Sequence, residues 1–302
     1  MEYAVEIKGI RKNYGDVEAL HKVDINIGKG EIFGFIGPDG AGKTTIFRIL
    51  TSLLLPDEGT AKVAGCDVVA DYKELRTKIG YMPGRFSLYQ DLTVAENLKF
   101  FAGIFKTTIE ENYSLIEDIY KQIEPFKNRR AGKLSGGMKQ KLALSCALIH
   151  RPEVLFLDEP TTGVDVVSRA EFWQMLQKRR DEGITIVVST PYMDEAALCD
   201  RVALIQKGKV MSTDTPQNIV ENFGKPVFSV KAANSNHLPG LLSAFEGTSS
   251  QNRFGDSFHW IPAEGFDEKD LRQYFEKAGI NNCEIERISP GIEDCFIELM
   301  TQ

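Results

Sequence analysis

The sequence predicts an α/β fold: a parallel sheet carrying a glycine-rich phosphate-binding loop, with a smaller α+β domain behind it. Three observations support that expectation. GPDGAGKT, from Gly37 to Thr44, fits G-x-x-x-x-G-K-[ST] and lies between an apolar run and a helical pattern, the context this motif requires. EVLFLDEP and ITIVVST are continuous apolar runs of strand length separated by the amphipathic SRAEFWQMLQKRRDEG; strand, helix, strand in that order implies parallel strands buried on both faces. After about Lys225 the texture changes to short alternating elements.

Taken in order, AVEIKGIRKNYG and VDINIGKGEIFGFIG carry apolar residues at period two with glycine punctuation, which reads as strands, the last running straight into the glycine-rich loop. The helix after the loop is expected to stop at Pro56, before the turn PDEGT. From about Leu88 to His150, TVAENLKFFAGIF and EENYSLIEDIYKQIEPF have apolar residues at helical spacing, a helical insertion. RVALIQKGKV reads as a strand pair turning at Lys207 and Gly208, and TPQNIVENFG as a short capped helix. These elements make a first domain of residues 1–224. In residues 225–302, PVFSVKA, LPGLLSAFEG, SFHWIPA, DEKDLRQYFEKAG and CEIERI suggest strand, helix, strand, helix, strand, with GIEDCFIELM as a closing helix. Phe258 and Trp260 alternate with polar residues and are expected in the core of this part.

Composition narrows the function. A chain of 302 residues with 42% hydrophobic content can bury a sizeable core. The net charge of -7 disfavours a broad nucleic-acid surface, so no nucleic-acid partner is expected. The longest apolar stretches, IFGFIG and ILTSLLLP, fall far short of the roughly 20 apolar residues that cross a bilayer as a helix. The N-terminus has no basic leader followed by an apolar stretch, so a cytoplasmic location is expected, with any membrane association through a partner. Cys66, Cys146, Cys199, Cys283 and Cys295 form no C-x-x-C pair, which reads as reduced and mostly buried thiols. His21, His150, His237 and His259 are scattered and fall in no motif.

The chemistry concentrates in two motifs. Glycines let backbone N–H groups curl around phosphates, the following helix presents its positive end, and Lys43 reaches the terminal phosphates. Gly37, Pro38, Asp39, Gly40, Ala41, Gly42, Lys43, Thr44 and Thr45 are therefore the candidate ATP-binding residues, with the Thr44 hydroxyl a ligand for Mg2+. In FLDEP, at the end of an apolar strand, Asp158 is the second candidate Mg2+ ligand and Glu159 the candidate general base for the attacking water. Without the upstream loop, the same pair would read as a solvated acidic strand end.

Between these motifs lies LSGGMKQKLALSCALIHRP, and with it the sequence closely resembles the ATP-binding cassette family over essentially residues 1–220. LSGGM is similar to that family's signature motif. The resemblance implies a P-loop NTPase cassette with an antiparallel β subdomain and a helical insertion. It also implies an ATPase that works as a pair of cassettes, the same or different, in which Leu134, Ser135, Gly136 and Gly137 contact the γ-phosphate held by the opposite subunit. Tyr14, in KNYG, matches the aromatic that stacks on adenine, although a packed strand tyrosine is the alternative. TTGVD matches the loop by which two cassettes sense each other, making Asp165 a dimer-interface candidate. The C-terminal SPGIEDCFIELM resembles the ending of ABC-2 type exporter and drug-resistance cassettes. It implies a separate membrane permease, gripped near Arg85–Phe105. A non-transport cassette of translation or DNA repair is the alternative.

Two positions depart from the family pattern. After IGYMP most members carry a glutamine and after ITIVVST a histidine; here these are Gly84 and Pro191. Gln90 falls six residues late and does not take the glutamine's role. Each replacement removes a polar contact aimed at developing charge, worth about 10²-fold or more in rate, so slow hydrolysis by the isolated chain is expected. A site used mainly for binding, a partnership with a nonidentical cassette, and substitution by other groups all fit.

Overall fold

The computed structural model of the chain describes residues 2–232, 237–280 and 282–301. It divides into two compact units, 1–216 and 217–302, a break earlier than the change in texture near Gly224.

The first unit is built on two sheets. β1 (Tyr3–Tyr14), β2 (Val17–Gly28), β4 (Glu58–Val63) and β5 (Cys66–Asp67) form an antiparallel sheet in the order β2-β1-β4-β5. β3 (Ile32–Ile36), β6 (Ile79–Met82), β7 (Val154–Asp158), β8 (Thr185–Thr190), β9 (Arg201–Gln206) and β10 (Lys209–Asp214) form the other, in the order β10-β9-β3-β8-β7-β6. Its strands are parallel except for β10, which returns antiparallel to β9 through Lys207 and Gly208, both with positive φ. β3, β7 and β8 are buried along their whole length, as their unbroken apolar sequences require.

Helix α1 (Lys43–Leu50) packs between the two sheets, where Phe33, Phe35, Phe47 and Phe156 meet edge to face in series at 5.3, 5.9 and 5.7 Å. It stops well before Pro56. The residue after its C-cap, Ser52, has φ 58°, and the amides of Leu53 and Ser52 turn back to the carbonyls of Arg48 and Ile49 at 2.7 and 3.0 Å. That bonding satisfies the end of the helix without proline. α2 (Tyr72–Lys78) leads into β6.

The helical insertion comprises α3 (Val94–Ile104), α4 (Ile109–Tyr120) and α5 (Gly136–Leu148). Thr93 with Glu96 and Thr108 with Glu111 form reciprocal caps at the starts of α3 and α4, which fixes where each helix begins. α6 (Val166–Asp181) connects β7 to β8 and ends before Gly183, at φ 95°.

The boundary between the units falls one residue into α7 (Pro216–Glu221). β11 (Val227–Ala232), α8 (Leu238–Ala244), β12 (Thr248–Phe254), β13 (Ser257–Pro262), α9 (Glu268–Lys277) and β14 (Cys283–Ile288) follow, with α10 (Ile292–Thr301) last. The sheet order β12-β13-β11-β14 is antiparallel throughout, a β-α-β-β-α-β arrangement. Trp260 is fully buried and Phe258 nearly so, against Phe275, Leu271 and Leu242. β12 was invisible to periodicity: TSSQNRF is a polar edge strand with no alternation of apolar residues. All five cysteines are free thiols, four of them buried.

Candidate nucleotide site

The glycine-rich loop leaves the buried β3 and enters α1. Gly40 and Gly42 have φ 78° and 103°, a left-handed backbone that glycine adopts without strain. At Gly37 and Gly42 space is also closed: a Cβ would lie 2.0 Å from the Ile205 carbonyl and 2.8 Å from the Ala19 carbonyl. The backbone N–H groups of Gly40, Gly42, Lys43 and Thr44 have no acceptor among the described residues, and they head a helix. Such a cluster of free amides at a positive helix end suits a polyphosphate. Lys43 is 3% exposed, and its Nζ donates to the carbonyls of Gly37 at 2.7 Å and Pro38 at 3.0 Å.

β7 ends at Asp158, also buried. Its Oδ1 accepts a hydrogen bond from Ser189 Oγ at 2.5 Å, and Oδ2 has no partner among the described residues. A carboxylate held on one oxygen and open on the other fits a hard cation such as Mg2+, and Thr44 adds a hydroxyl in the first turn of α1. Tyr81 lies near this charge. Burial, helped by Asp158, pushes its hydroxyl up to about 12.

Glu159 takes φ 50°, unusual for a side-chain-bearing residue, and is held there by two bonds from its amide to Ser189, one to O and one to Oγ, each 3.0 Å. Local strain of this kind collects at reacting positions. Its Oε1 lies 3.3 Å from Lys43 Nζ, so the phosphate loop and the acid meet. Ser189, which organises both acids, was not singled out in the sequence. The signal was there, in the switch from VV to the polar Ser-Thr at the end of an apolar strand.

Gly84 sits beside the acidic pair, its missing Cβ 3.1 Å from the Asp158 carbonyl and 3.8 Å from Glu159 Cβ. Gln90 instead lies against Gly132 of the insertion, where its carbonyl accepts from the Gly132 amide at 2.9 Å. Pro191 directly follows β8. Tyr14 ends β1 and is 46% exposed, so its ring can stack on a base.

The signature segment begins α5. Ser135 is its N-cap, accepting from the Met138 amide at 3.3 Å, and Leu134 is buried beneath. Gly136 and Gly137 are helical, not merely flexible: a Cβ on Gly137 would come within 2.9 Å of Ser168 Oγ on α6. Asp165 caps α6 through the Ser168 amide at 3.0 Å, and that bond holds its carboxyl below the usual range. The next two residues, Val166 and Val167, are 78% and 69% exposed.

Comparison with known proteins decides the family. A model of the ABC transporter family matches residues 20–162. Nod factor export ATP-binding protein I of Rhizobium sp. (strain N33) is 35% identical over 98% of this chain and 96% of its own length. The chain belongs to the ATP-binding cassette family. The cassette is also 36% identical, over 98% of its length, to the probable multidrug ABC transporter ATP-binding protein YbhF of Escherichia coli (strain K12), and spans 52% of that longer protein. Among solved structures it resembles the dimeric cassette MJ0796 bound to ADP and Pi in a post-hydrolysis state, at 30% identity and TM-score 0.63, covering 70% of this cassette and 98% of that chain. The fold is thus the P-loop cassette fold, and the enzyme class is that of the cassette ATPases.

Proposed function

We propose that this cassette closes with a second cassette, identical or not, around Mg·ATP, and that the closure drives export through a separate ABC-2-like permease at the inner face of the cell membrane. The single observation that supports it best is the meeting at 3.3 Å of Glu159 with Lys43, the lysine of the loop whose amides are free. Mg2+, held by Thr44 and Asp158, would supply charge neutralisation to the phosphoryl oxygens. Lys43 and the loop amides bind the phosphates, Tyr14 takes the base, and Glu159 orients the water and accepts its proton. The signature end of α5 offers amides to the nucleotide of the opposite cassette, and Asp165 with Val166 and Val167 forms the contact between cassettes.

Turnover by the isolated cassette is slow in this reading. Position 84 is aimed at the acids but carries no side chain, and the proline at 191 offers no hydrogen-bond donor. The permease docks in the cavity of about 580 Å³ between β6 and the insertion, lined by Phe86, Leu88, Phe101, Ile104 and Phe105. Ile104 and Leu53 at this groove are 54% and 56% exposed, an apolar surface suited to a short helix of a membrane protein. No described helix is itself long and apolar enough to cross a membrane. The export reading is supported by the name of the Nod factor relative, which covers nearly the whole chain.

ATPase rates for the wild type, Glu159→Gln and the pair Gly84→Gln with Pro191→His test this reading. The expected order is Glu159→Gln lowest, wild type slow, restored pair faster by about tenfold or more. A fast wild type that the restoration leaves unchanged overturns the slow-turnover reading. Co-purification from detergent-solubilised membranes separates the classes: a permease supports export, whereas ribosomes or DNA would point to a non-transport cassette.

A further inference from the structure

Glu195 is a carboxylate 1% exposed, on the short 3-10 turn that follows β8, and no step above uses it. Its Oε1 accepts from Thr161 Oγ1 at 2.7 Å and its Oε2 from Thr190 Oγ1 at 2.5 Å. Both hydroxyls are buried as completely as the acid. A buried carboxylate persists only when its oxygens are satisfied; here the two threonines do it, with Arg169 Nε at 3.6 Å from Oε1.

The two threonines belong to different parts of the nucleotide site. Thr161 lies two residues after Glu159, in the loop closed by bonds from Thr162 N to Glu159 O and from Val164 N to Thr161 O, and that loop leads to Asp165. Thr190 ends β8 just before Pro191, and its carbonyl accepts the Gly37 amide of the phosphate loop at 3.3 Å. Arg169, one turn into α6, bonds back to Asp165 through its amide at 2.9 Å. Its guanidinium lies over the Tyr192 ring at 5.0 Å and pairs with Asp194. One carboxylate thus joins the interface loop, the turn at Pro191 and, through Thr190, the phosphate loop. Pro191 itself carries no hydrogen-bonding side chain, and Thr190 Oγ1 supplies the turn instead, also accepting the Tyr192 amide at 3.1 Å.

We propose that Glu195 is a positioning residue that clamps the Glu159–Asp165 loop to the Thr190–Tyr192 turn, so that contact between cassettes at Asp165 reaches the phosphate loop as one rigid displacement. The clamp rests on the two-cassette reading above. Glu195 touches neither nucleotide nor water; it acts through Thr161 and Thr190.

Thr161→Val, Thr190→Val and their double variant test the clamp, with Glu195→Ala and Glu195→Gln beside them. Because either valine opens it, each single variant should lower kcat about tenfold with KM for ATP changed less than about twofold, and the double should fall little further than either single. Glu195→Gln, which keeps one acceptor, should recover part of the loss seen in Glu195→Ala. Placed in the Glu159→Gln background, Glu195→Ala should weaken ATP-driven dimerisation, read by analytical ultracentrifugation, about tenfold while fluorescent-nucleotide binding to the monomer holds. Additive losses in the double variant, or a parent and Glu195→Ala that dimerise alike, overturn the clamp alone. A wild type that does not hydrolyse ATP, together with a Glu159→Gln parent that does not dimerise with it, overturns the functional reading, and the clamp falls with it.

Discussion

Lys43 Nζ stands 3.3 Å from Glu159 Oε1, joining the start of α1 to the end of β7. The same ammonium donates to the Gly37 and Pro38 carbonyls of the loop, so a phosphate bound by Lys43 would compete with Glu159 for it. The lysine proposed to bind the phosphates and the acid proposed to work on the water therefore share one electrostatic contact.

Replacing Lys43 by alanine removes charge-assisted contacts each worth about 1.5–3 kcal/mol, so ATP affinity should fall by about 10- to 100-fold. Titration calorimetry with ATP checks this. An affinity within about twofold of wild type would mean the loop amides alone hold the phosphates.

Gly40 and Gly42 both have left-handed backbones, but only Gly42 is crowded, with the Ala19 carbonyl 2.8 Å and Leu20 Cδ2 2.9 Å from where a Cβ would stand. Gly40→Ala should cost only the backbone strain, about 1 kcal/mol. Gly42→Ala must in addition displace β2, and should cost about 2–4 kcal/mol with weakened ATP binding. Chemical denaturation of the two variants separates strain from collision.

Ser189→Ala takes away the hydrogen bond to Asp158 Oδ1 and one of the two that fix Glu159. The hydroxyl is small and the strand is apolar, so the fold should hold. Turnover and Mg2+ affinity, measured by magnesium titration of the ATPase rate, should both fall about tenfold. A variant with normal magnesium dependence would remove Ser189 from the site.

His150 stacks on Phe105 with ring centroids 3.6 Å apart, and its Nε2 meets the Ile79 carbonyl at 2.8 Å. Its Nδ1 is buried without a partner among the described residues. Burial lowers its pKa from 6.5, against the smaller opposing effect of the Ile79 carbonyl. The unfolded chain therefore takes up a proton near pH 6.5 that the fold refuses. Stability is full above that pH and declines as pH falls toward the lowered folded value. His150→Phe keeps the stack and removes the proton uptake, so its Tm should drop less than that of wild type between about pH 7.5 and about pH 5.5. Equal slopes would show that His150 titrates freely.

Much of the cassette was legible because its signals are local. The phosphate loop, the two buried strands and the helices of the insertion each announce themselves within a dozen residues, where periodicity and glycine placement are decided by the nearest backbone; the acidic pair was legible only beside the loop more than a hundred residues upstream. The end of α1 was read too late because an apolar run, TSLLLP, resembles a continuing helix. The chain instead turned at Ser52, and left Leu53 and Leu55 largely exposed. The strand TSSQNRF escaped notice because an edge strand can be made of polar residues when its neighbour supplies the pairing.

The sequence by itself determined the family, and it named the candidates for cradling phosphate, holding Mg2+ and activating water, with Gly84 and Pro191 as the two positions that depart from the pattern. Only the tertiary structure decided that Ser189 organises both acids, that Gly137 is demanded by the approach of α6, and that Glu195 draws Thr161 and Thr190 together. The physical reason is range. A loop's shape is dictated by its own torsions, whereas a buried carboxylate acquires a role only when the sheet brings residues 34 positions apart within a hydrogen bond of each other.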